Sequence, residues 1–594
     1  MQCFSVWAPD ASSVEVVLFH DDGTSPGTPV PLAPEPGGWW RVQIGGAGHG
    51  SDYGLRVDGG EPLPDPRSGW QPYGVNGPSR VFHADRHQWT DGSWRGLPAA
   101  GAVHYELNVA TFTSEGTLDA AIARLPHLVD LGVEMVELMP VAAMPGRWGW
   151  GYDGAHPNAV HEPYGGPAAL QRFVNAAHAA GLGVCLDVVY NHLGPSGNYL
   201  ERFGPYFTQA HHTPWGAAIN LDGPGSPEVR RWICDNALRW FRDFHIDALR
   251  LDAVHALLDD SEHHVLAQLS EETAALSHFL RRPLSLVAES DLNDPVMITP
   301  TAAGGRGMTG QWSDDFHHAV HALLTGERQG YYVDFGPPEV VRTVWREAFW
   351  HAGRYSPFRG GDWGRPVDTA TVGGHRFVVC SSNHDQVGNR AIGDRPAATL
   401  SGGLLALSAA LVLTSPFTPM LFMGEEWGAG TPFQYFTDFD DPDLAAAVTA
   451  GRRREFAAHG WDADDVPDPQ DPETRLRSVL DWAEREQPRH AALLDWYRTL
   501  LRLRRELPDL SADDLRAGDV TWSETGATGR PDWLVLRRGS VHVVGVLTEH
   551  PIEVTLPGPV EALAAFGPVE NQGEHVRSAG HGVLVARRLP HAPA

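Results

Sequence analysis

Cysteine is scarce in this chain: Cys3, Cys185, Cys234 and Cys380 are scattered along 594 residues. No CxxC pair or other metal-type spacing links them, which argues against a structural zinc. Cys185 and Cys380 lie in apolar runs, where cysteine serves as a small core residue. Reduced thiols are expected. Positive charge is also short, with 45 basic against 74 acidic residues and a formal charge of -29. Such a surface argues against nucleic acid or an anionic membrane as partner. No apolar run approaches the length of a membrane span. Met1 to Ser5 lacks a basic segment leading into an apolar run, so no signal peptide is expected, and a cytoplasmic location follows. No Gly-rich phosphate loop follows a candidate strand, which weighs against a doubly wound nucleotide-binding sheet. Internal repeats and low-complexity tracts are absent.

What is present is apolar material enough for several cores. The length suggests about three domains, one of them a large barrel. The 21 tryptophans and 30 histidines are many. Aromatic faces suit the C–H faces of sugar rings, though most of these side chains are expected to serve packing. Residues 1–95 carry short strand candidates (Phe4–Pro9, Val14–Leu18, Gly37–Val42, Tyr53–Val57) between Gly, Pro and Asp, the pattern of a β-sandwich. Over 96–514 strands alternate with helices. Thr117 is placed to cap a helix with Leu118, Ile122, Leu125 and Val129 inward. Further helices open at Pro167 and at Ser226-Pro227. Eight strand candidates over this stretch predict an α/β fold, a (β/α)8 TIM barrel. Long insertions near 191–225 and 326–375 are rich in aromatics and should shape the cleft. Residues 456–487 read as a surface segment. Residues 515–594 read as a C-terminal β domain with a hairpin turning at Gly539.

The stretch Asp247–His255 organises the chemistry. Residues two apart share a strand face, so Arg250 and Asp252 should point the same way. On its own, such a pair is as often purely structural. Three other strand ends carry matching groups: Asp187, Asn191 and His192; Glu289; and Asn383, His384 and Asp385. In a barrel these ends converge on one face. Three carboxylates from three strands, Asp252, Glu289 and Asp385, would then share a pocket. That crowding costs several kcal/mol unless one is protonated or paired. Retaining glycoside cleavage uses such a set: Asp252 as nucleophile, Glu289 as general acid and base about 5–5.5 Å away, and Asp385 stabilising the transition state. His192 and His384 would donate to the sugar.

The runs Asp187–His192, Leu249–His255, Glu289 and Asn383–Asp385 resemble, in order and placement, the four short motifs of the α-amylase family, glycoside hydrolase family 13. The resemblance implies a barrel flanked by an N-terminal β domain, of the immunoglobulin-like carbohydrate-binding kind, and a C-terminal β-sandwich. Within that family, longer stretches resemble maltooligosyltrehalose trehalohydrolases: Tyr105–Leu107, Leu138–Ala142, Trp148–Gly154, Ala288–Pro295, Asp314–His321, Tyr355–Arg359 and Gly424–Trp427. What they imply is hydrolysis of the α-1,4 bond beside a terminal trehalose. The implied substrate contacts are Tyr152, stacking on the sugar, with His192, Arg250, His255, His384, Asp315 and His317. Asn108 and Trp363 depart from that pattern, each standing where a histidine is expected. No cofactor is implied. Asn191 resembles a calcium ligand of some amylases, but no set of oxygen ligands accompanies it and no metal is expected. Two other readings remain: a glucan branching enzyme of the same family, with a sugar hydroxyl replacing water, and a non-catalytic glycan-binding protein.

Overall fold

The structure is a computed structural model, and it describes all residues except 21–22, 458–461, 463–464, 525–528 and 590–594. Eight parallel strands close a barrel. They are β1 (His104–Leu107), β2 (Met135–Leu138), β3 (Gly183–Val188), β4 (Ala248–Leu251), β5 (Ser285–Ala288), β6 (Gly310–Trp312), β7 (Phe377–Val379) and β8 (Thr418–Phe422). These are the eight strand positions expected from the sequence. Each strand is buried along its length, as a sheet covered on both faces requires. Alternation assigns the two faces. Leu107, Leu138, Leu186, Leu249 and Leu286 are register neighbours around the barrel and belong to the large core shared with the helices. Met135, Cys185, Ala248, Val287, Trp312 and Val378 form a separate cluster inside the cylinder. Asp187 and Arg250 lie two residues beyond Cys185 and Ala248, on the same inward face, one step nearer the C-terminal mouth.

Two small domains brace the barrel. At the N-terminus, a three-stranded sheet containing Gln2–Trp7 and a four-stranded sheet containing Val14–Leu18 close over Phe4, Val6, Val16 and Leu55. Trp7 lies edge-on against Tyr206 of the first insertion, ring centroids 5.3 Å apart. At the C-terminus a five-stranded and a three-stranded sheet enclose Val535, Val544, Val554 and Leu584. Between them and the barrel runs helix Gly402–Leu413, buried nearly all round. A helix without a polar face has to be covered on every side. No helix among the described residues is long and apolar enough to cross a membrane.

Two local expectations need correction. The helix capped by Thr117 stops at Ile122, and a second helix covers Leu125–Leu131. Pro126 is the cause, because its missing N–H and its ring break the first helix and are tolerated only in the opening turn of the next. Val129 is consequently exposed rather than inward. The expected surface segment 456–487 lies partly outside the described residues, and its helix Pro472–Arg477 is not superficial. Thr474 and Arg475 are buried, and the Arg475 guanidinium donates through Nε to the Ala110 carbonyl at 3.0 Å. The sequence contains no lysine, so arginine, with its planar fork of donors, supplies the side-chain cations in such carbonyl and carboxylate contacts.

Candidate active site

At the C-terminal mouth lies a cavity of about 770 Å³ lined by Asp252, Glu289 and Asp385, together with Tyr152, His192, Arg250, His255 and His384. Its organisation starts inside the barrel. Asp187 and Arg250 are register partners on β3 and β4, and Arg250 Nη1 donates to Asp187 Oδ2 at 2.8 Å. The same Nη1 donates to Asp252 Oδ1 at 2.7 Å. Asn191 donates its amide to the other oxygen, Asp252 Oδ2, at 3.0 Å. One buried cation and one amide therefore hold both oxygens of Asp252 in place.

The turn after β4 completes the arrangement. Ala253 adopts a left-handed φ of 39°, uncommon for a residue with a side chain. In that conformation its N–H donates to Glu289 Oε2 at 2.6 Å. Burial raises the Glu289 pKa to about 8. Arg250 and the Ala253 N–H oppose the rise, while Asp252 and Asp314 add to it. Glu289 is thus protonated at neutral pH, as a general acid must be. After β7, Asn383 accepts from the N–H groups of Asp385 and Gln386, and Gln386 Oε1 accepts from the Asn383 N–H. This capping box starts a short helix whose first turn projects His384 and Asp385 into the cavity. Tyr152 is set by the glycine before it. Gly151 has φ 103°, and a Cβ there would lie 2.1 Å from the Pro140 carbonyl oxygen. Gly151→Ala is expected to destabilise the fold by about 2 kcal/mol or more, read as a fall in Tm, and to weaken substrate binding as Tyr152 shifts.

Residues 78–211 match the alpha-amylase catalytic domain, and residues 2–74 match carbohydrate-binding module 48, the isoamylase N-terminal domain. A crystal structure named for an alpha amylase of Salmonella typhimurium superposes with a TM-score of 0.88 at 36% identity, covering 99% of this chain and 97% of that one. A pullulanase from Anoxybacillus sp. complexed with maltotetraose shares the fold, with a TM-score of 0.72 at 17% identity. A malto-oligosyltrehalose trehalohydrolase from Rhizobium sp. is 50% identical over 96% of this chain and 95% of its own length. That from Arthrobacter ramosus is also 50% identical, over 98% and 99%. The chain belongs to the malto-oligosyltrehalose trehalohydrolase family.

Within this trehalohydrolase framework, eight of the ten expected site residues border the one cavity. Asp315 and His317 lie outside its lining, engaged with other groups of the chain. Asp315 is buried, its Oδ2 accepting from Asn293 Nδ2, Trp350 N and His351 N. His317 is bonded at Nδ1 to the Ser381 carbonyl and at Nε2 to the Tyr332 hydroxyl. Both serve to fasten the second insertion to the barrel. The neighbouring Asp314 turns toward the helix that carries Asp385, accepting from Gln386 Nε2 at 3.4 Å, without lining the cavity itself. Burial, then the charges of Asp385 and Asp291, raise its pKa to about 7. Helix geometry separates the two aspartates, since consecutive residues point about 100° apart.

His192 lines the cavity with its nitrogens engaged, Nδ1 with Asn191 Oδ1 at 2.5 Å and Nε2 with the Tyr152 carbonyl at 3.0 Å. Its ring stacks on Trp215, centroids 4.7 Å apart. It therefore offers the cavity a flat face, and donating to a sugar requires it to give up one of these partners. The two departures from the trehalohydrolase pattern are also structural. Asn108 donates to the Gly149 carbonyl of the loop that carries Tyr152. Trp363 Nε1 donates to the Asp291 carbonyl, with the Arg359 guanidinium above its ring. Trp150 and Asp153 belong to the run Trp148–Gly154 and Trp215 to the aromatics of the first insertion, but sequence reasoning did not single out the cavity walls Glu201 and Tyr435, which carry no spacing signal.

Proposed function

We propose that the chain hydrolyses the α-1,4-glucosidic bond next to the terminal trehalose of maltooligosyltrehalose, with retention, releasing trehalose and a shortened maltooligosaccharide. The observation that carries the reading is the pairing of Asp252, held at both oxygens, with a protonated Glu289 in one sugar-sized cavity. Asp252 attacks the anomeric carbon while Glu289 gives its proton to the departing trehalose oxygen. Glu289, now a carboxylate, takes a proton from the water that displaces Asp252 from the same carbon. Asp385 binds sugar hydroxyls and favours the distorted ring of the transition state. Tyr152 stacks on the sugar beside the cleaved bond, and Arg250, His255 and His384 line it with donors.

The trehalose preference rests on kinship along nearly the whole chain. A Vibrio parahaemolyticus 1,4-alpha-glucan branching enzyme is 31% identical over only 53% of this chain. An α-glucan oligosaccharide in the cytoplasm is the partner in this reading, and the acidic surface disfavours polyanions. The division at 95/96 and 514/515 proposed from sequence assigns catalysis to the central barrel. Incubation with maltooligosyltrehalose is expected to release free trehalose. If amylose instead acquires α-1,6 branches and no trehalose appears, the branching activity is the correct one.

A further inference from the structure

We infer that Glu106, at the C-terminal end of β1, is a positioning residue of the reaction: it clamps His384 at two points and keeps its ring as an imidazolium facing the substrate. This rests on the reading above for the reaction, though not for the contact itself. Glu106 is 1% exposed. Its Oε2 accepts from the His384 backbone N–H at 2.9 Å, and its Oε1 lies 2.5 Å from His384 Nδ1. The two oxygens thus fix both the start of the short helix and the ring it carries.

The far side of the ring gives the clamp its consequence. His384 Nε2 lies 2.8 Å from the Tyr152 hydroxyl, which is 2.7 Å from Asp187 Oδ2. Asp187 in turn accepts from Arg250, which donates to Asp252. An imidazolium satisfies every link with one set of protons. Nδ1–H donates to Glu106, Nε2–H donates to Tyr152, and the Tyr152 O–H donates to Asp187. Burial pushes the Asp187 pKa up to about 7, and once Asp187 is ionised above that, neutral His384 leaves one link without a proton. The groups facing the ring are Glu106 from β1, Tyr152 from the loop after β2, Asp187 from β3, Arg250 from β4 and Asp385 beside it on its own helix. Burial alone lowers the His384 pKa. The Glu106 charge and hydrogen bond, helped by Asp385 and opposed by Arg250, overturn this and bring it to about 9. The ring also stacks on Tyr152, centroids 5.2 Å apart. Loss of the Glu106 charge therefore removes the cation, not merely a contact.

The test is Glu106→Gln, which keeps the shape and removes the charge. The alkaline limb of kcat/KM for trehalose release should move down by about one to two pH units. Activity near pH 5.5 should stay within about tenfold of wild type, with a loss of about 30- to 100-fold at pH 8. Added to His384→Gln, the substitution should shift nothing further. Histidine labelled with ¹³C at Cε1 gives a readout free of turnover, with the His384 resonance assigned by its absence in His384→Gln. Its titration midpoint should lie above pH 8 in wild type and below 7 in Glu106→Gln. Equal midpoints in the two proteins, or a loss of activity uniform across pH, would overturn the inference. If Glu106→Gln does not fold, Glu106→Asp retains the charge and should keep the midpoint above 7; a midpoint below that overturns the inference equally. A wild type that releases no trehalose would refute the proposed reaction, while the ring titration would still decide, on its own, whether Glu106 holds the imidazolium.

Discussion

Asp252→Ala should lower kcat/KM for trehalose release by about 10⁵-fold or more while leaving the far-UV circular dichroism unchanged. Without the carboxylate no covalent glycosyl intermediate forms. Water cannot substitute efficiently, because Arg250 Nη1 and Asn191 Nδ2 are aimed at oxygens that are gone. Arg250 keeps its bonds to Asp187, so it is not left as an unpaired buried cation, and the fold should hold. A second consequence follows from charge. Asp252 is one of the groups that raise the Glu289 pKa, so the Glu289 carboxyl should titrate at lower pH in the variant. Activity within tenfold of wild type would remove Asp252 from the role of nucleophile.

The loss expected for Glu289→Gln is smaller, about 10³- to 10⁴-fold in kcat for the natural substrate, and it is selective. The variant cannot protonate the departing sugar oxygen, but it retains the nucleophile. An α-maltooligosyl fluoride, whose leaving group needs no proton, should restore the first step and give a burst of fluoride, followed by slow turnover because no base activates water. The pH profile provides the second check. In wild type, activity should fall as pH rises through about 8, where Glu289 loses its proton. In the variant the fall at about pH 8 should vanish, leaving only the later one at about pH 9 where His384 loses its proton. Equal losses on both substrates, at every pH, would mean that Glu289 is not the acid.

These expectations differ in how far the sequence alone could carry them. The barrel was legible because each strand is a short apolar run flanked by turn residues, and the polar groups recur at the same end of strands β3, β4, β5 and β7. That recurrence, with the four motifs in order, singled out Asp252, Glu289 and Asp385. The choice between Asp314 and Asp315 was not legible. The motif names both, and only the rotation of helix Asp314–Thr325 turns one toward Asp385 and the other toward Asn293. The break at Pro126 was readable from the chain, since proline acts locally, and the hydrophobic spacing outweighed it.

By itself the sequence determined the fold class, the order of the domains and the three acidic residues at the barrel mouth, because periodicity and strand-end position are properties of neighbouring residues. The tertiary structure decided which side chains face the cavity and in what protonation state. Glu106 and His384 are 278 residues apart in the chain, as are no two residues of a single motif. Their 2.5 Å contact exists only because closure of the barrel pairs β1 with β8, whose other neighbour is β7, and a pKa is set by what stands around a group in space, not by its neighbours in the chain.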